Sequence, residues 1–160
     1  MTIQVGDKVP SVTLRYLTPD GIKAVTSEEF FGGKKVAVFA LPGAYTRTCS
    51  SRHLPGYVTN SAAIKAKGID TIACLSVNDA FVMNAWGKEH GAGNKVVMLG
   101  DGSADFTKAM GLTIDRTEAG MGIRSQRYSM IVDNGVVTAL SVEPSGEYGV
   151  SSAEAMLAGL

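Results

Sequence analysis

The sequence predicts an α/β domain built on a mixed sheet, and three observations carry that expectation. Residues 35–41 and 69–77 are apolar on both faces, as strands in the middle of a parallel sheet are. A stretch of helical periodicity lies between them and another follows the second, so that strands and helices alternate. Residues 127–133 and 136–143 then alternate around Asn134-Gly135, the strongest hairpin signal in the chain. At 160 residues, one domain spanning 1–160 is expected.

The elements follow in order. Residues 11–17 and 22–25 flank Thr18-Pro19-Asp20-Gly21, a turn sequence, and predict an N-terminal hairpin. Thr26-Ser27-Glu28-Glu29 reads as a capping box opening a single turn that Gly32-Gly33 ends. After the strand at 35–41, the spacing predicts one helix over residues 50–67 with Leu54, Tyr57, Val58, Ala62 and Ile64 inward. Pro55 lies inside it and should loosen the backbone ladder one turn back. The strand at 69–77 holds Cys74. Asn78 or Asp79 caps a helix that runs to His90, in which Phe81/Ala85 and Val82/Trp86 share faces. A short strand at 95–99 and a short helix at 104–110 come next. Residues 113–125, rich in glycine, read as a loop. Ser151 to Glu154 reads as a second capping box, starting a terminal helix. A right-handed crossover makes the strands at 35–41 and 69–77 parallel neighbours. A sheet closed by a hairpin and a helix is the thioredoxin-like arrangement, here with a hairpin extension at the N-terminus.

Fifteen basic and fifteen acidic residues balance, which gives no electrostatic case for nucleic acid or an anionic membrane. The first residues lack the layout of a signal peptide and no apolar run has transmembrane length, so a cytoplasmic protein is expected. Two cysteines, Cys49 and Cys74, are too few for a disulfide scaffold and form no C-x-x-C pair.

Cys49 is the candidate for chemistry. It follows Pro42-Gly43-Ala44-Tyr45-Thr46-Arg47-Thr48 and enters the first turn of a helix at the end of a buried strand. Free backbone N–H groups and the positive end of the dipole there favour a thiolate. The carboxyl end of a central strand is also where open α/β sheets place their sites. His53 stands one helical turn on. A metal site would need further ligands, of which only Cys74 and His90 are suitable, so a structural or subunit-contact role fits His53 better.

Pro42-x-x-x-Thr46-x-x-Cys49 resembles the active-site signature of peroxiredoxins. The continuation Ser50-Ser51-Arg52-His53-Leu54-Pro55-Gly56 resembles the type II, Prx5-like subfamily, as do residues 76–86 and 122–129. The resemblance implies thiol peroxidase chemistry without a cofactor or metal. Cys49 would attack a hydroperoxide and become a sulfenic acid. Thr46 and backbone N–H groups would hold the peroxide in line, and Pro42 would shield the thiolate. Arg127, matching the family's arginine, would stabilise charge on sulfur and on the leaving oxygen. Arg124 reads as a surface charge. Cys74 matches the second cysteine of plant type II members, yet its strand-centre setting suits a buried inert thiol equally well. The implied partners are a hydroperoxide, a reductant (glutathione with glutaredoxin, or thioredoxin) and a second copy of the chain. One departure stands out: Arg47 occupies a position where the family usually has proline, which adds a cation and an N–H beside the site. Other readings of a reactive Cys49 are a thiol–disulfide oxidoreductase, which the missing C-x-x-C disfavours, and a redox sensor or holdase that uses its oxidation as a switch.

Overall fold

A computed structural model describes residues 2–160. The expected N-terminal hairpin forms as β1 (Thr13–Thr18) and β2 (Gly21–Thr26), with Thr18 opposite Gly21. The capping box then opens α1 (Ser27–Phe31): Thr26 Oγ1 accepts the Glu29 N–H, and the Glu29 carboxylate accepts the Thr26 N–H. β3 (Lys35–Ala40) is buried after its first residue.

The helix expected over 50–67 is broken in two places. Cys49–His53 form a π-turn, α2 (Leu54–Thr59) continues it, and α3 (Ser61–Ala66) follows a break at Asn60. Pro55 explains the first break. It offers no N–H, and its ring would crowd the carbonyl four residues earlier; widening the preceding turn relieves that clash. The Leu54 N–H accordingly reaches back five residues, to Cys49 O.

β4 (Thr71–Ser76) leads to α4 (Ala80–Glu89), whose N-cap Asp79 accepts the Val82 N–H. α4 buries Ala80, Met83 and Trp86, whereas Phe81, 59% exposed, shares a solvent-facing side with Ala85. β5 (Val97–Gly100) starts two residues later than its periodicity suggests, and α5 (Asp105–Met110) follows. The loop expected at 113–125 is instead a small hairpin, β6 (Thr113–Arg116) against β7 (Gly122–Ser125). Its glycines sit at the turn, where Gly120 and Gly122 take positive φ, so they mark a reversal rather than an absence of structure. β8 (Tyr128–Asp133) and β9 (Val136–Val142) form the expected hairpin around Asn134 and Gly135, both left-handed. In α6 (Ala153–Gly159) the cap is one residue later than expected: Ser152, not Ser151, accepts the Ala155 N–H.

The main sheet runs β2-β1-β5-β4-β3-β8-β9. β3 pairs in parallel with β4, and β4 with β5; the other neighbours are antiparallel. The period of two along β3 divides the core between the two faces. Ala37, Phe39 and Leu41 pack with Cys49, Tyr57, Cys74 and Trp86, while Val36, Val38 and Ala40 pack with Phe31, Phe106 and Tyr128. The mixed sheet flanked by helices is the thioredoxin-like architecture that the chain order predicts.

Candidate active site

The site is built where β3 ends and the chain turns into the π-turn. Tyr45 takes φ +64°, an uncommon conformation for a residue with a side chain, and reverses the chain so that a helix can start at once. Thr46 closes the turn by donating its hydroxyl to Gly43 O at 2.6 Å. Its own carbonyl accepts the Ser50 N–H at 2.9 Å, the first backbone bond of the helix. The N–H groups of Arg47, Thr48 and Cys49 precede that bond and lie at the positive end of the turn.

β4 holds the loop from the side. The Ser76 hydroxyl donates to Asn78 Oδ1 at 2.7 Å, and that oxygen accepts the Ala44 N–H at 3.0 Å. Arg124, expected to be a surface charge, instead donates from Nη1 to Pro42 O at 3.3 Å and from Nε to Met121 O at 2.9 Å. Gly43 makes room for it, because a Cβ there would lie 2.7 Å from Arg124 Nη1. Arg124 therefore pins the small β6–β7 hairpin over the loop.

Cys49 is fully buried, and Arg127 meets it from across the sheet, with Nη2 3.1 Å from Sγ. Arg127 immediately precedes β8, and its carbonyl accepts the Glu143 N–H at 2.9 Å, which fixes its backbone. The second arm of the guanidinium, Nη1, donates to His53 Nδ1 at 2.8 Å. A guanidinium only donates and a carbonyl only accepts. His53 must therefore accept at Nδ1 and carry its proton on Nε2, which donates to Ser151 O at 3.1 Å. Burial and then the charge of Arg127 push the His53 pKa down to about 3, against smaller opposing effects of the Ser151 bond and Glu143. The ring is thus a neutral acceptor that orients a cation. It lies inside the protein, not at a subunit surface.

The 143–151 loop completes the frame. Glu143 Oε2 accepts the Gly149 N–H at 2.6 Å, the Ser151 N–H at 2.9 Å and the Ser151 hydroxyl at 2.7 Å. Burial works against the charged carboxyl, but these donors outweigh it and leave its pKa below the ordinary value. With Ser151 held, its carbonyl accepts from both His53 and Tyr57, the latter at 2.8 Å. A chain of bonds therefore runs from Glu143 through Ser151 and His53 to Arg127 and the sulfur.

A cavity of about 500 Å³ opens beside this arrangement, with Pro42, Thr46 and Arg127 in its wall. Cys49 lies one layer in, touching Arg127, which lines the cavity. Pro42, Thr46, Cys49 and Arg127 are thus brought together, the grouping that the family resemblance implies. Cys74 lies in the middle of β4, opposite Phe39 and Met98, fully buried, and both thiols are free. Burial, then the proximity of Cys49, push its thiol pKa well up, only partly offset by Arg127.

A fully buried thiol under a guanidinium, at the carboxyl end of a central thioredoxin-like strand, defines a redox protein of the redoxin class. A family profile described as Redoxin matches residues 4–157, and the chain belongs to that family. Its relatives narrow the class. The chain is 47% identical to a chloroplastic peroxiredoxin-2E of Arabidopsis thaliana, over 99% of this chain and 70% of that one. It is 45% identical to peroxiredoxin-2C of the same plant, over 99% and 98%. A crystal structure of reduced Prx3 from Vibrio vulnificus in complex with hydrogen peroxide superposes with a TM-score of 0.96 at 52% identity, over 99% of each chain. The activity these relatives carry is thiol-dependent peroxide reduction, and the chain is an oxidoreductase of that kind, acting on a peroxide and recycled by a thiol protein.

Proposed function

We propose that Cys49 is the peroxidatic nucleophile and that Arg127, Thr46 and Pro42 make up its reacting environment. The observation that carries this reading is the 3.1 Å contact between Arg127 Nη2 and Cys49 Sγ. The sulfur attacks the near oxygen of the O–O bond, the S–O bond forms, and the far oxygen leaves with the electron pair and takes up a proton as water or an alcohol. Arg127 meets the negative charge first on sulfur and then on the leaving oxygen. The Thr46 hydroxyl donates to Gly43 O, so its lone pairs are left to accept from the hydroperoxide and aim it in line. Pro42, anchored by Arg124, holds the loop and covers the thiol. The hydrogen peroxide bound by the Vibrio vulnificus relative supports this choice of substrate.

The sulfenic acid on Cys49 is reduced directly by an external thiol, glutathione with glutaredoxin or thioredoxin, and Cys74 stays inert. The place of Cys74 in the middle of β4 and its raised thiol pKa support this over a resolving role. A resolving disulfide would need the two Cα atoms within about 7 Å and both sulfurs free to turn. We also propose that the protein works as a cytoplasmic homodimer. The exposed aromatic residues Phe81, in the first turn of α4, and Tyr45, whose hydroxyl donates to Glu89 on that helix, support a protein contact there.

Mass spectrometry of reduced protein after one equivalent of hydrogen peroxide tests the scheme. A sulfenic acid on Cys49 trapped by dimedone, its absence in Cys49→Ser, and sustained turnover with glutaredoxin or thioredoxin by Cys74→Ala are expected. A Cys49–Cys74 disulfide as the main product would overturn the inert role of Cys74. Full activity in Cys49→Ser would overturn the mechanism itself.

A further inference from the structure

The cavity beside Cys49 is far larger than hydrogen peroxide needs. A water molecule occupies about 30 Å³ in the liquid, and hydrogen peroxide adds a single oxygen to that. The cavity of about 500 Å³ leaves room for an organic tail, and Ile114 and Met121 give it an apolar wall.

Its charged residues are unequally occupied. Three guanidinium groups and two carboxylates line it: Arg47, Arg116 and Arg127 against Glu143 and Glu147. Arg127 is engaged by Cys49 and His53, and Glu143 by the donors at Gly149 and Ser151. That leaves two cations facing a single exposed carboxylate, Glu147. Arg116 is half-buried in the cavity wall, and its buried Nε has no hydrogen-bond partner among the described residues. That nitrogen is itself covered and out of a ligand's reach, so an anion in the cavity meets the terminal nitrogens of the guanidinium instead. Arg47 is exposed at the cavity mouth, two residues before the nucleophile. A group held there shares the cavity with Arg127, which touches the reacting thiol.

We infer that the cavity selects hydroperoxides bearing a carboxylate, with Arg47 and Arg116 holding the anionic head while the alkyl body lies on Ile114 and Met121. This deepens the proposed function and rests on it, since the O–O bond must still reach Cys49. The reaction balances as before: one oxygen passes to sulfur and the carboxylated alcohol leaves. Glu147 on the rim opposes the anion and limits the preference to a moderate one.

Stopped-flow oxidation of the reduced protein tests the inference. The readout is the fluorescence of Trp86, whose Nε1 donates to Ser50 Oγ at 3.0 Å, next to the nucleophile. The probes are a hydroperoxy-methylpentanoate, its uncharged methyl ester and hydrogen peroxide. The acid should react about five- to tenfold faster than the ester at low ionic strength, the size expected of one or two solvent-edge ion pairs. Added salt should shrink that ratio. Arg47→Gln should lower it, and Arg47→Gln with Arg116→Gln should bring it to about one. An acid-to-ester ratio of one in the parent protein, or a ratio that survives in the double variant, would overturn the inference. Failure of the parent protein to react with hydrogen peroxide would overturn the underlying reading of Cys49 instead.

Discussion

His53 gives the most exposed test of the bond chain behind the sulfur. His53→Gln removes its titration but keeps both of its bonds, since a glutamine oxygen accepts from Arg127 while its amide donates to Ser151 O. The native pKa of the imidazole is pushed down to about 3 from the ordinary 6.5. Above the upper value neither folded nor unfolded chains carry the proton. Between the two values the unfolded chain binds it and the native protein does not, so stability falls as pH falls through that window. Going from about pH 7 to about pH 5, this one group should remove about 2 kcal/mol, the size of the proton uptake confined to the unfolded chain. Other carboxyls titrate alike in both proteins and cancel in the comparison. Urea unfolding of the reduced proteins, followed by the single tryptophan, Trp86, measures the difference. The wild type should lose about 2 kcal/mol more than His53→Gln over that range. Equal slopes would mean that His53 titrates normally, and the picture of a neutral acceptor under Arg127 would be wrong.

Further outcomes follow from the same geometry. Arg127→Lys keeps the charge but not the fork, so it cannot serve Cys49 and His53 together; kcat/KM for hydrogen peroxide should fall about a hundredfold in steady-state assays. Gly43→Ala places a Cβ 2.7 Å from Arg124 Nη1 and should break the bond to Pro42 O, costing about 1 kcal/mol in urea unfolding. Arg124→Ala should cost about the same, and the double variant little more, because both changes remove one contact.

What the sequence disclosed about the site is what lies close together along the chain. The strand at 35–41, the Pro42–Thr46 loop and the helical start at Cys49 are contiguous, and their hydrophobic and turn patterns suffice to predict them. The pairing of β3 with β4 followed from handedness alone. Arg127 stands 78 residues from Cys49, and only the likeness to a family pointed to it. The links from Arg127 to His53 and from Glu143 to Ser151 had no local signal, since each depends on how the β8–β9 end folds back over α2. Glu143 in particular reads in sequence as the last residue of a hairpin, and nothing there announces a buried carboxylate satisfied by three donors. The Arg124–Pro42 contact was hidden for a related reason: the β6–β7 hairpin that carries it alternates too weakly to be read as strands. Pro55 was legible as a disturbance, but whether it would kink the helix or widen a turn depended on packing.

That widened turn sets an angle. In a regular α-helix each residue advances the side chain by about 100°, so a residue four places on overshoots a full revolution by about 40°. Cys49 and His53 are four apart, and in such a helix they would diverge by that amount. The wider turn advances each residue by less than the α-helical angle, so the overshoot is reversed and Cys49 and His53 stay on one side of the helix. A single guanidinium then spans both, Nη2 on the sulfur and Nη1 on the ring. A proline outside that contact thus bears on it through the backbone alone, by widening the turn from which both side chains project.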